Sequence, residues 1–448
     1  MFVLTVPETF ELLPEREEGD IEHSQLISAE EHSSTTGPRR ETDYIDGLRG
    51  IAAFIVYTSH FSLPYQPHLE YGFGNRDNHS FLQLPIVRLI HSGPIMVALF
   101  FVVSGFVLSL KPWEHNKRGE AALTLRTLSS STFRRLFRLF FPTVISTFLV
   151  MLSVRLRLYD IHYESFALDY VLARPRRLIS IWDQFYDWAM FILFDLTNPW
   201  HWGPSPKSVD EILSWFRYGD HLWTIPVEFQ CSMVLFLAII GLLRLRQTFR
   251  LIALSTFFCY CLWWSRWDVA LFLAGSGLAE VHQARSKSTI SYINKIVSCI
   301  IFALGLYIAS IPTKAAQDTP GYVQIMKLDP RVRTWHTLAA VLILWSLEGL
   351  LLVKTVLTTP LAQYLGEISF SLYIVHEPCL QLFGWAAVPA VWDIIGKEKP
   401  WKYQMGFLLA YLITTPVLLW VADTYWRIVD KNCVQVARWL EAKLTGWP

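Results

Sequence analysis

Ten apolar runs recur between residues 46 and 425, and they restrict this chain more than any other feature. They are 46–64, 94–111, 139–157, 222–244, 250–265, 268–283, 294–312, 335–353, 361–387 and 405–425. A helix needs about 20 apolar residues, and not fewer than about 17, to cross a hydrocarbon core of about 30 Å. Inside that core every peptide group must find its partner within the protein, which a helix achieves by itself. The runs therefore predict an all-α fold, a polytopic membrane helix bundle of about ten transmembrane helices. Runs 250–265 and 268–283 are the shortest of the set. Composition agrees: 52% of residues are hydrophobic and only 17% charged, against about 25% charged in soluble domains. A net charge of +1 gives no bulk attraction to nucleic acid. The six cysteines mostly sit in apolar runs without paired spacing, so they read as small buried hydrophobes rather than metal ligands or disulfides.

Basic residues orient the bundle. Lys117, Arg118, Arg126, Arg134, Arg135 and Arg138 follow the second run; Arg244, Arg246 and Arg250 follow the fourth; Arg285 and Lys287 the sixth; Arg427, Lys431, Arg438 and Lys443 the tenth. With ten spans and a cytosolic N-terminus, all four clusters face the cytosol, as the positive-inside rule requires. The segment 313–334, with Lys314, Lys327, Arg331 and Arg333, then lies outside against that rule. A further apolar piece, 185–197, is short and carries Asp187 and Asp195, so it is placed at the interface or as a re-entrant segment. Residues 1–43 hold eleven Asp/Glu against three Arg and read as a disordered acidic cytosolic tail without a cleavable signal. Residues 426–448 read as a short cytosolic helix, leaving 44–425 as the membrane domain. The loops 65–93 and 158–221 face the lumen or exterior, and their Trp and Tyr residues suit interface anchoring. The protein is expected to be multi-pass in an endomembrane such as the endoplasmic reticulum, with both termini cytosolic.

Ionisable residues inside such spans are costly and mark function by default. On the first run Arg49 and His60 stand eleven residues apart, roughly 16 Å along a helix. Glu228 lies about two turns inside the fourth run from the outer face, and His60 about one turn inside the first. Similar depth predicts that Glu228 pairs with His60 and orients its ring. A satisfied structural pair is the plainer reading of either residue alone.

Five blocks then appear in order. They are Asp46-Gly-Leu-Arg49 with His60 downstream; Phe100-Phe-Val-Val-Ser-Gly-Phe106; Arg135-Leu-Phe-Arg138 leading to Pro142; Leu222-Trp-Thr-Ile-Pro-Val-Glu228; and Leu365-Gly-Glu-Ile-Ser-Phe-Ser-Leu-Tyr-Ile-Val-His376. Together they resemble the acyltransferase 3 family of integral membrane O-acyltransferases, in a stand-alone, fungal-like form. Thr224 stands for a usual Ser, Cys231-Ser232 for Phe-Tyr and Phe370 for Tyr, and one extra aromatic precedes Pro142. Ser104-Gly105 permits close helix approach and is given no chemistry. The resemblance implies transfer of an acyl group, commonly acetyl, from acyl-CoA to a hydroxyl of a small natural product, carbohydrate or lipid. It implies no bound cofactor and no metal, with acyl-CoA (in particular acetyl-CoA) as co-substrate. The implied partners are the bilayer, acyl-CoA and the acceptor.

On this reading His60 is the general base and Glu228 holds its tautomer. Arg49, Arg135 and Arg138 bind the CoA phosphates as forked donors. Asp46, Trp223, Tyr373 and His376 line the substrate cavity. No Ser or Cys has a triad setting, so direct transfer is favoured over an acyl-His intermediate. The rival class is a multi-pass proton-coupled transporter, which also uses intramembrane His and Glu. Against it stands the lack of an inverted repeat with paired broken helices.

Overall fold

The computed structural model describes residues 41–75, 78–160, 175–198, 217–285 and 292–445. Among these the chain is helical, without a β-strand beyond one isolated bridge between Asn75 and Asn78. The long helices are α1 (Asp43–Ser62), α2 (Gly93–Lys117) and α3 (Ala121–Arg155). After the short α4 (Ile181–Met190) come α5 (Thr224–Leu242), α6 (Gln247–Trp263) and α7 (Trp267–Arg285). Then follow α8 (Tyr292–Ala309), α9 (Val332–Leu347), α10 (Leu351–Leu357) and α11 (Pro360–Cys379). The chain closes with α12 (Trp385–Ile395), α13 (Pro400–Tyr425) and α14 (Lys431–Thr445). The predicted acidic tail lies outside the described residues, apart from 41–43.

Nine of the ten apolar runs fall each on one helical stretch, with boundaries shifted by a few residues, and 335–353 runs through α9 and across a bend into α10. Among the described residues five helices are long and apolar enough to cross a membrane, and a sixth if α9 and α10, bent by 101°, form one broken span. Helices α1, α6 and α7 are not in that set, and α8 is a shorter apolar helix, so ten spans remains a reading of the sequence. The piece 185–197 is α4 extended by a π-helical turn, Phe191–Leu196. Its Asp187 and Asp195 are bonded by Arg217 at 2.6 and 3.4 Å, and Asp187 also accepts from Tyr218 at 2.8 Å. Burial first, and the Asp187 carboxylate with it, push the Tyr218 phenol above its ordinary range.

Small residues let two pairs of helices cross closely. A Cβ on Gly105 of α2 would stand 2.3 Å from the Phe272 carbonyl oxygen of α7, and one on Gly275 2.2 Å from that of Val102. Between α1 and α11, a Cβ on Gly50 would stand 2.3 Å from the Gly366 amide nitrogen. Such backbone approach is the usual means of helix association in membranes, and it fixes the register of both pairs. Gly105→Leu is accordingly expected to abolish the monodisperse peak of the detergent-purified protein in size-exclusion chromatography. An unchanged elution and melting profile would show that this crossing does not hold the bundle. Helix α1 also joins two apolar cores. Its Val56 belongs to the core that α2, α3, α5, α7 and α9 build, while Tyr57 and Phe61 pack with α11, α12 and α13.

Candidate active site

Three helix ends converge on a group of imidazoles and carboxyls. His60 comes from the last turn of α1, and His376 and Glu377 from the last turn of α11. Asp220 and His221 come from the 3₁₀ turn Asp220–Trp223 that starts α5. The His60 and His376 rings meet edge-on with centroids 5.0 Å apart, and those of His221 and His376 lie 4.8 Å apart. Asp220 and His221 stand within electrostatic reach of His60.

Hydrogen bonds set the tautomers. His221 Nε2 lies 3.1 Å from the Ile374 carbonyl oxygen, so that nitrogen carries a proton. Its Nδ1 meets the Glu377 carboxyl in a short contact, and its backbone N–H donates to the same oxygen at 3.2 Å. One proton is therefore shared between His221 and Glu377. Gln381 donates to the other Glu377 oxygen at 2.9 Å. His376 donates from Nδ1 to the Tyr373 carbonyl at 2.6 Å, which leaves its Nε2 a lone pair. That nitrogen is buried and has no partner among the described residues, and neither has Asp220 Oδ1. An unpartnered acceptor in a buried polar cluster is where a substrate hydrogen is received at least cost, since it now lacks the bond that burial demands. Asp220, His221 and Glu377 bring one ligand atom each within 4.8 Å, so they are the residues that could hold a metal ion. Two of those atoms are already bonded to one another.

The arginines form a second centre toward the other end of α1. Arg135 donates to Glu228 Oε1 at 2.5 Å, and Ser104 donates to the same oxygen at 3.0 Å. Arg49 pairs with Asp46 at 3.4 Å and stands within electrostatic reach of Arg138, Glu228 and Asp430. Arg135 and Glu228 are mostly covered, with side chains 13% and 21% exposed, whereas Arg138 is exposed. Tyr373 lies between the centres. Its hydroxyl bonds Thr224 Oγ1 at 2.7 Å and the His221 carbonyl at 2.8 Å, and it feels Glu228 on one side and Asp220 and Glu377 on the other.

This geometry corrects the expected His60–Glu228 pair, since Glu228 is bonded to Arg135 and Ser104 instead. Depth along α5 explains it. Glu228 is eight residues past Asp220, about 12 Å further along the axis, which carries it to the level of the arginines. Asp46 is exposed and paired at the arginine centre, so it is not with the histidines. Trp223 packs edge-on against Trp267 at 6.2 Å, at the start of α7. His60, Tyr373 and His376 are brought together; Arg49, Arg135 and Arg138 are brought together elsewhere. Asp220, His221, Glu377 and Gln381 were not singled out from the sequence. A usable signal was present, because Asp220-His221 and His376-Glu377 are both acid–imidazole neighbours at helix ends.

The profile of the acyltransferase domain matches residues 42–426, which includes both centres and all five sequence blocks. The chain belongs to the acyltransferase 3 family. The protein is thus an acyltransferase. Among its relatives is the O-acetyltransferase PaAT-1 of Phomopsis amygdali, 30% identical over 93% of this chain and 88% of that protein. Acyltransferase R4 of a Phoma species is 26% identical over 90% of this chain and 97% of its own length. Acyltransferase clz18 of Cochliobolus lunatus is 25% identical over 89% and 95%. These relatives are fungal, in line with the fungal-like form expected from the sequence. No solved structure matches the chain. Family membership disfavours the transporter reading.

Proposed function

We propose that the protein is a membrane-bound O-acetyltransferase that moves an acetyl group from acetyl-CoA to a hydroxyl of a small natural product. The observation that carries this reading is the division of polar residues between the ends of α1, with arginines around Arg49 and histidines around His60. Arg49, Arg135 and Arg138 would take the CoA phosphates, Arg138 from the exposed side. The roughly 16 Å rise from Arg49 to His60 is on the scale of a pantetheine arm, so the thioester would reach the histidines.

His60 acts as general base there. An imidazole nitrogen takes the proton of the acceptor hydroxyl as that oxygen bonds to the thioester carbonyl carbon. The carbonyl becomes a tetrahedral oxyanion, which positioned N–H and O–H donors stabilise. The C–S bond then breaks, and the leaving thiolate recovers the proton from the His60 imidazolium. Asp220 stabilises that imidazolium by charge. Glu228 is a positioning residue, holding the Arg135 guanidinium together with Ser104. The name of PaAT-1 favours acetyl as the group moved. The test is to supply purified protein with acetyl-CoA labelled in the acetyl group and an extract of its own strain. Label should pass to a product that a deletion strain lacks and that loses it on ester hydrolysis. Label in an amide or thioester, or none beyond buffer hydrolysis, would overturn the proposal.

A further inference from the structure

The four basic residues of segment 313–334 stand against the charge rule that orients the rest of the chain, and acyl transfer does not use them. Three have traceable surroundings. Lys314 pairs with Glu70 at 2.6 Å, and Arg331 grips Asp329 with contacts from 2.7 to 3.1 Å. This bond holds the Asp329 carboxyl below its ordinary range. Arg333 differs, since among the described residues it has no carboxylate partner. Its guanidinium donates to the Pro94 carbonyl at 3.3 Å and lies over the Trp267 ring at 4.9 Å. A guanidinium held without a counter-charge is costly unless an anion comes to it.

The space before it is a cavity of about 370 Å³, open on one side. That is within the range of small-molecule sites. Pro94, Leu262, Trp267 and Val332 give it apolar walls, and Arg333 and His336 supply polar groups. His336 is 1% exposed. Its Nε2 donates to the Ile311 carbonyl at 3.2 Å, leaving Nδ1 a buried acceptor with no partner among the described residues. Arg333 and His336 are three residues apart on α9, hence on one face. One cavity thus brings together a cation without a carboxylate partner among the described residues, apolar walls, and a lining histidine that carries an unfilled acceptor. Trp267 also meets Trp223, which leads directly from the Asp220-His221 turn.

We infer that this cavity is a binding site for a small hydroxylated organic acid. The carboxylate would accept from Arg333, the hydroxyl would donate to His336 Nδ1, and the carbon body would lie against Trp267 and Leu262. Nothing in this rests on the acyl-transfer reading, and binding is read without turnover.

The test is isothermal titration of the detergent-purified full chain with 4-hydroxybenzoate, and with inorganic phosphate in parallel. Wild-type protein is expected to bind 4-hydroxybenzoate in the millimolar range or tighter. Arg333→Gln should weaken it by about tenfold or more, the usual scale of a lost hydrogen bond to a charged group. Arg331→Gln should matter less, because Asp329 already occupies that guanidinium. Leu262→Trp keeps every charge and fills the space, so it should also abolish binding and serves if Arg333→Gln does not fold. Failure of wild type to bind 4-hydroxybenzoate, or equal binding by Leu262→Trp, would overturn the inference. Phosphate binding as tightly as the organic acid would overturn it too, since the site would then read a bare oxyanion.

Discussion

His60→Gln is expected to lower kcat by about 10²–10⁴, the usual worth of a general base, while acyl-CoA binding persists. Glutamine keeps a polar group of similar reach but has no titratable nitrogen. The bundle should tolerate it. His60 is half-buried, its ring is not a bonded member of the His221–Glu377 pair, and Trp385 bonds the His60 backbone carbonyl, which the change leaves in place. The measurement is single-turnover transfer beside equilibrium binding of acyl-CoA. Turnover within about threefold of wild type would sink the assignment, because no base-catalysis loss is that small. His376 would then inherit the role, with its Nδ1 held by a backbone carbonyl and its Nε2 free. Asp220→Asn supplies the companion test. If Asp220 stabilises the imidazolium, kcat should fall with little change in KM, since that charge is needed only as the proton is transferred.

Arg135→Ala is expected to raise the KM for acyl-CoA by about tenfold or more, as removal of a charge-assisted phosphate contact would. It should also lower the melting temperature. Breaking a buried ion pair from one side costs about 3–5 kcal/mol, and this pair is mostly rather than fully covered, so the loss should fall toward the lower figure. Glu228→Gln should be milder on both counts, because an amide oxygen still accepts from Arg135 and Ser104. Arg135→Ala combined with Glu228→Ala should recover part of the melting temperature and none of the KM. Thermal melts and acyl-CoA titrations on the four proteins separate the effects. If Arg135→Ala melts early but keeps its KM, the guanidinium is a structural clamp and the CoA phosphates bind elsewhere.

The helical class was legible in the sequence because burial in an apolar phase needs only a count of apolar residues. The close crossing at Gly105 was legible for a similar reason, since a missing side chain allows backbone approach wherever the partner lies. The arginine group could be assembled from Arg49, Arg135 and Arg138 because all three sit in recognisable local blocks. The family match at residues 42–426 reflects the same local order.

Pairing was another matter. Depth along the helices put Glu228 near His60, but depth leaves rotation about each axis and the exact helix start undefined. The 3₁₀ turn at Asp220–Trp223 carries Asp220 and His221 to the level of His60, and Arg135 captures Glu228 lower down. Glu377 follows the motif histidine by one residue, and only the packing of α11 on the Asp220–Trp223 turn brings it to His221. The cavity at Arg333 is likewise tertiary, because its walls come from α2, α6, α7 and α9. Local sequence determined which residues are helical, apolar and able to carry charge, since those are properties of a residue and its near neighbours. Only the tertiary structure decided which of those charges meet, because that depends on helix rotation and crossing across hundreds of residues of separation.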